Sequence, residues 1–175
     1  IIGRIPTILE ANNFFNSTSE NKHSELIQKL LSNDAGYTAH HYQFWADLLR
    51  IPTNVDYTLY YREWIKDQIR NNTPYDDLEH LLVSGHGLIF DNPAAAYYLR
   101  DAGMALDNMS NSVRIFLGTR LECAQCHDHP FDKWTQMDYF KMAAYTYDFD
   151  VRMGVAKNSN RQRVYQDFGK RKNQK

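Results

Sequence analysis

The chain contains two cysteines, and both fall in the run Cys123-Ala124-Gln125-Cys126-His127. This is the Cys-x-x-Cys-His spacing of covalent haem attachment. Two thiols add to the two vinyl groups on one edge of the macrocycle. Two intervening residues, curled into a helical turn, set the sulfurs the right distance apart. The adjacent imidazole then rises beneath the ring and gives one nitrogen to iron. Its other nitrogen is expected to donate to a backbone carbonyl or a carboxylate, which fixes the tautomer. A random chain of this length shows the pattern on the order of once in a thousand. Other chemistries use parts of the same set. A thioredoxin-like dithiol expects a βαβ context. A zinc site would recruit Cys123, Cys126, His129 and a distant fourth ligand. A disulfide between the two cysteines is geometrically tight.

The surrounding residues carry further expectations. His129 is tethered too closely to His127 to reach the opposite haem face, so it is expected to hydrogen-bond a propionate or a buried carboxylate. Pro130-Phe131 would turn the chain back across the haem edge, with Trp134 and Phe140 lining the pocket or serving as plain core. The sixth iron position separates carrier from catalyst: a second His gives a low potential, Met raises it, and an open position admits ligands. The candidates are Met109, His41, Met104, His40 and His86, or no protein ligand at all. Met109 precedes Cys123 by 14 residues, in a segment expected to pack beside the motif. His41 lies on an apolar, aromatic helix face. Arg100, Arg114 and Arg120 can pair propionates bidentately, and Arg120, closest to Cys123 in sequence, is the best placed.

These residues must be positioned by helices. Thr7-Ile8-Leu9-Glu10 is a capping box that opens a helix through about Phe15. Leu26, Ile27, Leu30 and Leu31 predict a second helix over 20–32, with Asn33-Asp34-Ala35-Gly36 as a break. A third runs from about Thr38 to Arg50 and ends at Pro52 and Asn54. A fourth covers 58–71. Thr73-Pro74 supplies a cap with Pro at the first helical position, opening a fifth that ends near Ser84-Gly85. Gly85-His86-Gly87 reads as a flexible loop. Further helices are expected over Ala94–Asp101, stopped by Gly103, and over Asp107–Gly118. A short helix or turn follows at Cys123–His127, and Thr135-x-x-Asp138 caps a last helix through about Tyr147. No convincing strand alternation is read. The predicted fold is all-α: one domain, residues 1–150, of short helices packed around a covalently attached haem, followed by a flexible basic tail, 151–175. Twelve Tyr, nine Phe and three Trp suit a core that wraps a planar cofactor, and equally an aromatic core without one.

The formal net charge of −1 is unevenly spread. Residues 1–150 hold 12 Lys/Arg against 20 Asp/Glu, a net of −8, whereas 151–175 hold eight Lys/Arg against one Asp, a net of +7. An acidic body argues against nucleic acid as the main partner. The basic tail suits an acidic partner or an anionic membrane surface, or is a solvated terminus. No apolar run is long enough to span a membrane. The chain begins Ile1-Ile2-Gly3 rather than with Met, as a processed chain or an excerpt of a longer one would.

The stretch Phe116–Gln136, centred on Cys123-Ala124-Gln125-Cys126-His127-Asp128-His129-Pro130-Phe131, resembles the core of the bacterial family named domain of unknown function fifteen-forty-nine. The segments Ala39–Arg50, Tyr97-Tyr98-Leu99-Arg100-Asp101, Leu106-Asp107-Asn108-Met109 and Gly3-Arg4-Ile5-Pro6-Thr7 match it as well, so the resemblance spans most of residues 1–147. That family is abundant in planctomycetes and often occurs in long exported proteins beside a cytochrome c-like domain. The resemblance implies an exported, haem-associated module, carries over Cys123, Cys126 and His127, and marks His129 as part of the motif. The function expected is a c-type haem-binding protein with one covalent haem c, acting as a monohaem electron-transfer module or subunit. A haem enzyme with an open sixth position and a structural accessory subunit are the alternatives. The expected partners are redox proteins or a larger membrane-associated complex, and the expected location is periplasmic or extracellular.

Overall fold

The computed structural model describes residues 1–53, 58–101, 104–147, 149–156 and 159–166, the last two stretches by their backbone alone. The chain is mostly helical among these residues. Helix α1, Ile8–Asn16, opens on the capping box read from the sequence: the Thr7 hydroxyl accepts from the Glu10 N–H at 3.2 Å, and the Glu10 carboxylate accepts from the Thr7 N–H at 2.8 Å. Arg4 donates to both oxygens of the same carboxylate at 2.8 Å each. The Arg4 bonds first, and then the Thr7 bonds, hold Glu10 well below the usual carboxylate range. A carboxylate depressed in the folded state stabilises the fold above its unfolded pKa and loses that contribution as pH falls through the folded value. The protection of α1 amides, measured relative to their intrinsic exchange rates, is therefore expected to be constant from neutrality down to the ordinary carboxylate range and to fall only below it. In Glu10→Gln that acid-dependent part should vanish.

Helix α2 is Lys22–Leu31 and α3 is Asp34–Leu48. Helix α3 starts earlier than the sequence reading placed it. The run read as a break is its cap, because the Asn33 side chain accepts from the Gly36 N–H at 3.0 Å. At its far end Ile51 N–H reaches the Ala46 carbonyl at 2.9 Å and Arg50 N–H reaches that of Asp47 at 3.2 Å, the Schellman pattern. Arg50 holds the left-handed position at φ 53°, where glycine is the unstrained choice. Arg50→Gly is accordingly expected to be more stable than Arg50→Ala by about 1 kcal/mol, measured by urea unfolding. Helix α4, Thr58–Arg70, closes in the same way on Asn72 at φ 48°.

Helix α5 is Tyr75–Val83, with Pro74 itself at the N-cap. Thr73 does not cap it, and its hydroxyl instead donates to the Gln68 side chain at 2.9 Å. The two-residue strand β1, Gly87–Leu88, follows where a flexible loop was expected. Residues Pro93–Asp101 form a tight 3-10 helix rather than an α-helix. Its alanines Ala94, Ala95 and Ala96 are buried and let α4, α5 and α6 close around it. Gly85 permits the same approach: a Cβ there would lie 2.8 Å from the Ala94 carbonyl carbon. Helix α6, Ala105–Phe116, a 3-10 turn at Glu122–Gln125, and helix α7, Gln136–Tyr147, complete the helical part.

Strands β2, Phe149–Ala156, and β3, Ser159–Gln166, pair antiparallel, and β3 also pairs with β1, placing Gly87 opposite Val164 and Leu88 opposite Arg163. These strands were not read from the sequence, which assigned residues 151–156 and 159–166 to the basic tail; the fold remains mostly helical. Phe149-Asp150-Val151-Arg152-Met153 alternates apolar and charged residues with a period of two, a strand signal that the basic composition obscured. Residues 167–175 lie outside the described residues, as do Asn54 and Gly103, to which helix ends were assigned.

Two apolar clusters hold the helices together. The first gathers Leu49, Tyr61, Ile65, Leu78, Leu82, Ile89 and the buried 3-10 helix. The second comprises Met109, Val113, Leu121, Ala124, Tyr139 and Ala143. Helix α6 serves both, giving Ile115 to the first and Met109 and Val113 to the second. Beside the first cluster lies a buried ionic network. The Asp101 carboxylate accepts from Arg100 Nε at 2.7 Å and from Asn111 at 3.3 Å, with Arg50 at 3.5 Å. Arg100 also donates to the Tyr97 hydroxyl at 3.0 Å and stacks over that ring at 4.3 Å. No helix of the described residues is long and apolar enough to cross a membrane.

Candidate functional site

The turn that carries the cysteines is short and two-sided. Ala124 N–H donates to the Leu121 carbonyl at 2.9 Å and Cys126 N–H to that of Cys123 at 3.3 Å, so the segment curls into a single 3-10 turn. Leu121 and Ala124 are fully buried in the second cluster. Cys123 and Cys126 are exposed, and both thiols are free. The apolar pair pins the turn, and the residues between and beside it present two sulfurs to solvent.

Helix α7 fixes the turn from below. Thr135 and Asp138 form its capping box: the Asp138 carboxylate accepts from the Thr135 N–H at 3.1 Å and hydroxyl at 2.8 Å, and Asp138 N–H returns to that hydroxyl at 3.1 Å. These bonds lower the Asp138 pKa, the hydroxyl contributing most. The first helical residue, Gln136, then bridges to the motif. Its N–H donates to Asp128 Oδ1 at 2.8 Å, and its side-chain amide donates to the Gln125 carbonyl at 3.0 Å. The sequence reading did not single out Gln136, although the Thr-x-x-Asp box places it at the helix N-terminus facing the loop. Gln136→Ala removes one of these two bonds and is expected to destabilise the loop by about 1 kcal/mol, seen as faster amide exchange at residues 125–129.

His127 is exposed, with Nδ1 2.6 Å from the Asp128 carbonyl oxygen. A carbonyl only accepts, so Nδ1 carries the proton and Nε2 carries the lone pair. That is the tautomer a metal-ligating histidine needs. His129 is half-buried, its N–H bonded to the Trp134 carbonyl at 2.8 Å and its Nδ1 accepting from the Phe131 N–H at 3.2 Å. Phe131 is 93% exposed and meets the His129 ring edge-on. Trp134 packs on the second cluster as core, whereas Phe140 is 40% exposed.

The chain's match to known families now decides its kinship. A family model described as "Protein of unknown function (DUF1549)", PSCyt2, matches residues 1–150. The chain belongs to that family. No curated protein and no solved structure matches it.

Within this PSCyt2 domain the remaining predicted positions scatter. Met109 is buried in the second cluster together with Leu121 and Ala124, on the inner side of the turn, whereas the thiols are outside. His41 lies on α3, half-buried against Tyr37 at 4.1 Å, with burial lowering its pKa. Helix α3 packs on α2 and α4, and the cysteine turn packs on α7. Met104, His40 and His86 are exposed, and His86 Nδ1 is bound to the Ser84 carbonyl at 2.8 Å. Arg100 is committed to Asp101 and Tyr97, and Arg114 donates to Asn111. Arg120 is exposed. Among the described residues no three His, Cys, Asp or Glu side chains converge as a metal ion would require.

Proposed function

We propose that the chain is a c-type haem-binding module, exported from the cytoplasm, whose role is electron transfer within a larger redox assembly. One observation carries this reading. Two free, exposed thiols flank a buried alanine on a curled turn, next to an exposed histidine whose Nδ1 is held by a carbonyl oxygen. That donor set fits haem c. Cys123 and Cys126 would supply the two thioethers and His127 Nε2 the axial bond, with Asp128 holding the imidazole through its carbonyl. Arg120 and its guanidinium would face a propionate. Bound haem would supply one-electron iron chemistry. The residues' part is to attach it, orient the imidazole and keep the ring at the surface, where a partner protein can approach. The acidic body of residues 1–150 would favour a basic patch on that partner.

The test is expression with a covalent haem-maturation system. The expected product is a chain heavier by one haem, with a Soret band and a reversible one-electron couple. A correctly exported, folded chain that gains neither mass nor Soret absorption would overturn the reading.

A second reading has its own support. Met109, a sulfur donor expected from the sequence, is in the core with Leu121 and Ala124, whereas the thiols are exposed. That supports an open sixth position and hence ligand binding or catalysis. A spectrum that shifts with carbon monoxide or cyanide would favour it; an unshifted six-coordinate spectrum would count against it.

A further inference from the structure

We infer that His129 is a positioning residue held in the opposite tautomer to His127, so that its Nε2–H orients a carboxylate of the bound group. The inference rests on the haem reading and assigns the second histidine of the loop. The two rings are distinguished by what their Nδ1 atoms meet. His127 Nδ1 faces a carbonyl oxygen, which can only accept. His129 Nδ1 faces the Phe131 N–H, which can only donate. A neutral imidazole carries one proton, so the Nε2 atoms differ: that of His127 is a lone pair and that of His129 is an N–H.

This division decides the roles. A ring nitrogen that bears hydrogen cannot ligate iron without first losing it, so the loop offers one ligand, not two. His129 instead offers a directed donor. Its backbone is anchored by the bond to Trp134, its ring by the bond from Phe131, and the exposed Phe131 ring stands edge-on to it. A donor immobilised in this way suits an anionic oxygen, because charge-assisted bonds are the strong ones and little conformational freedom is left to lose. On a haem the anionic oxygens are the propionates.

Two measurements test it. In the unloaded chain, long-range proton–nitrogen correlation spectra should show His127 protonated at Nδ1 and His129 at Nε2. The same proton position on both rings would overturn the assignment. Haemin and its dimethyl ester are then titrated into the chain. Haemin should bind on the order of tenfold more tightly. His129→Asn keeps an acceptor near the Nδ1 position but lacks the distal donor, so this preference should fall by the share His129 supplies, leaving only that of Arg120. His129→Gln restores a donor at the Nε2 level and should recover part of it. Equal affinity for haemin and ester in the unaltered chain, or an undiminished preference in His129→Asn, would overturn the role of His129 alone. Failure of the unaltered chain to bind haemin at all would overturn the haem reading and this assignment with it.

Discussion

Replacing Cys123 and Cys126 together with alanine is expected to abolish covalent haem and leave the fold standing. Each single variant should retain at most one thioether, visible as a shifted haemochrome band and a less stable adduct. The double variant should carry none after denaturation and extraction. Both thiols are exposed and free, so neither contributes packing. Surface substitutions of this kind change stability by within about 0.5 kcal/mol, and helix content and urea midpoint should be unchanged. The contrasting variant is Ala124→Leu. Ala124 has no exposed surface and shares its cluster with Leu121 and Tyr139. Extra methylenes there should cost about 1–3 kcal/mol by overpacking and misplace both thiols at once. A double cysteine variant that unfolded, or that kept covalent haem, would contradict the two-sided description of the turn.

Asp101→Ala is expected to be the most destabilising single change, by about 3–5 kcal/mol. The Asp101 side chain is 0% exposed and that of Arg100 is 3% exposed. Removing the carboxylate leaves a guanidinium desolvated, with the Tyr97 hydroxyl and ring as its remaining main partners. Asn111 would lose its acceptor as well. The damage comes from stranding the charge, not from the worth of the pair. Replacing Arg100 and Asp101 together by apolar residues of similar volume should therefore cost much less than the single change. Urea unfolding of the two singles and the double closes that cycle. A double variant as unstable as Asp101→Ala would mean that the network's geometry, and not charge compensation, matters most.

The helices were legible where a side chain announces the end of an element. Thr7 with Glu10 and Thr135 with Asp138 were read as caps, and both are caps. Misreadings arose where one residue type serves two purposes. Asn33 can break a chain or cap a helix, and only the bond to Gly36 N–H decides. Thr73 can cap, but in the fold its hydroxyl bonds to Gln68 and caps nothing. Nothing local distinguishes a 3-10 from an α-helix over Pro93–Asp101, because the tight winding is imposed by three helices closing on small side chains. At the site, the residue types and spacing of Cys123, Cys126 and His127 were visible in the sequence. Which side of the turn is buried was not, because it depends on Leu121 and Ala124 finding Met109 and Tyr139, whose contacts are distant in the chain. The tautomers were likewise hidden, being set by backbone groups that folding brings to each ring.

The outward-facing cysteines have a bearing on the order of events in the protein's life. Both apolar clusters are filled by the chain's own side chains, and neither contains a sulfur of the attachment motif. Under the proposed haem reading, the two cores would be filled without help from the bound group. Attachment would then act on thiols that the folded domain already displays at its surface.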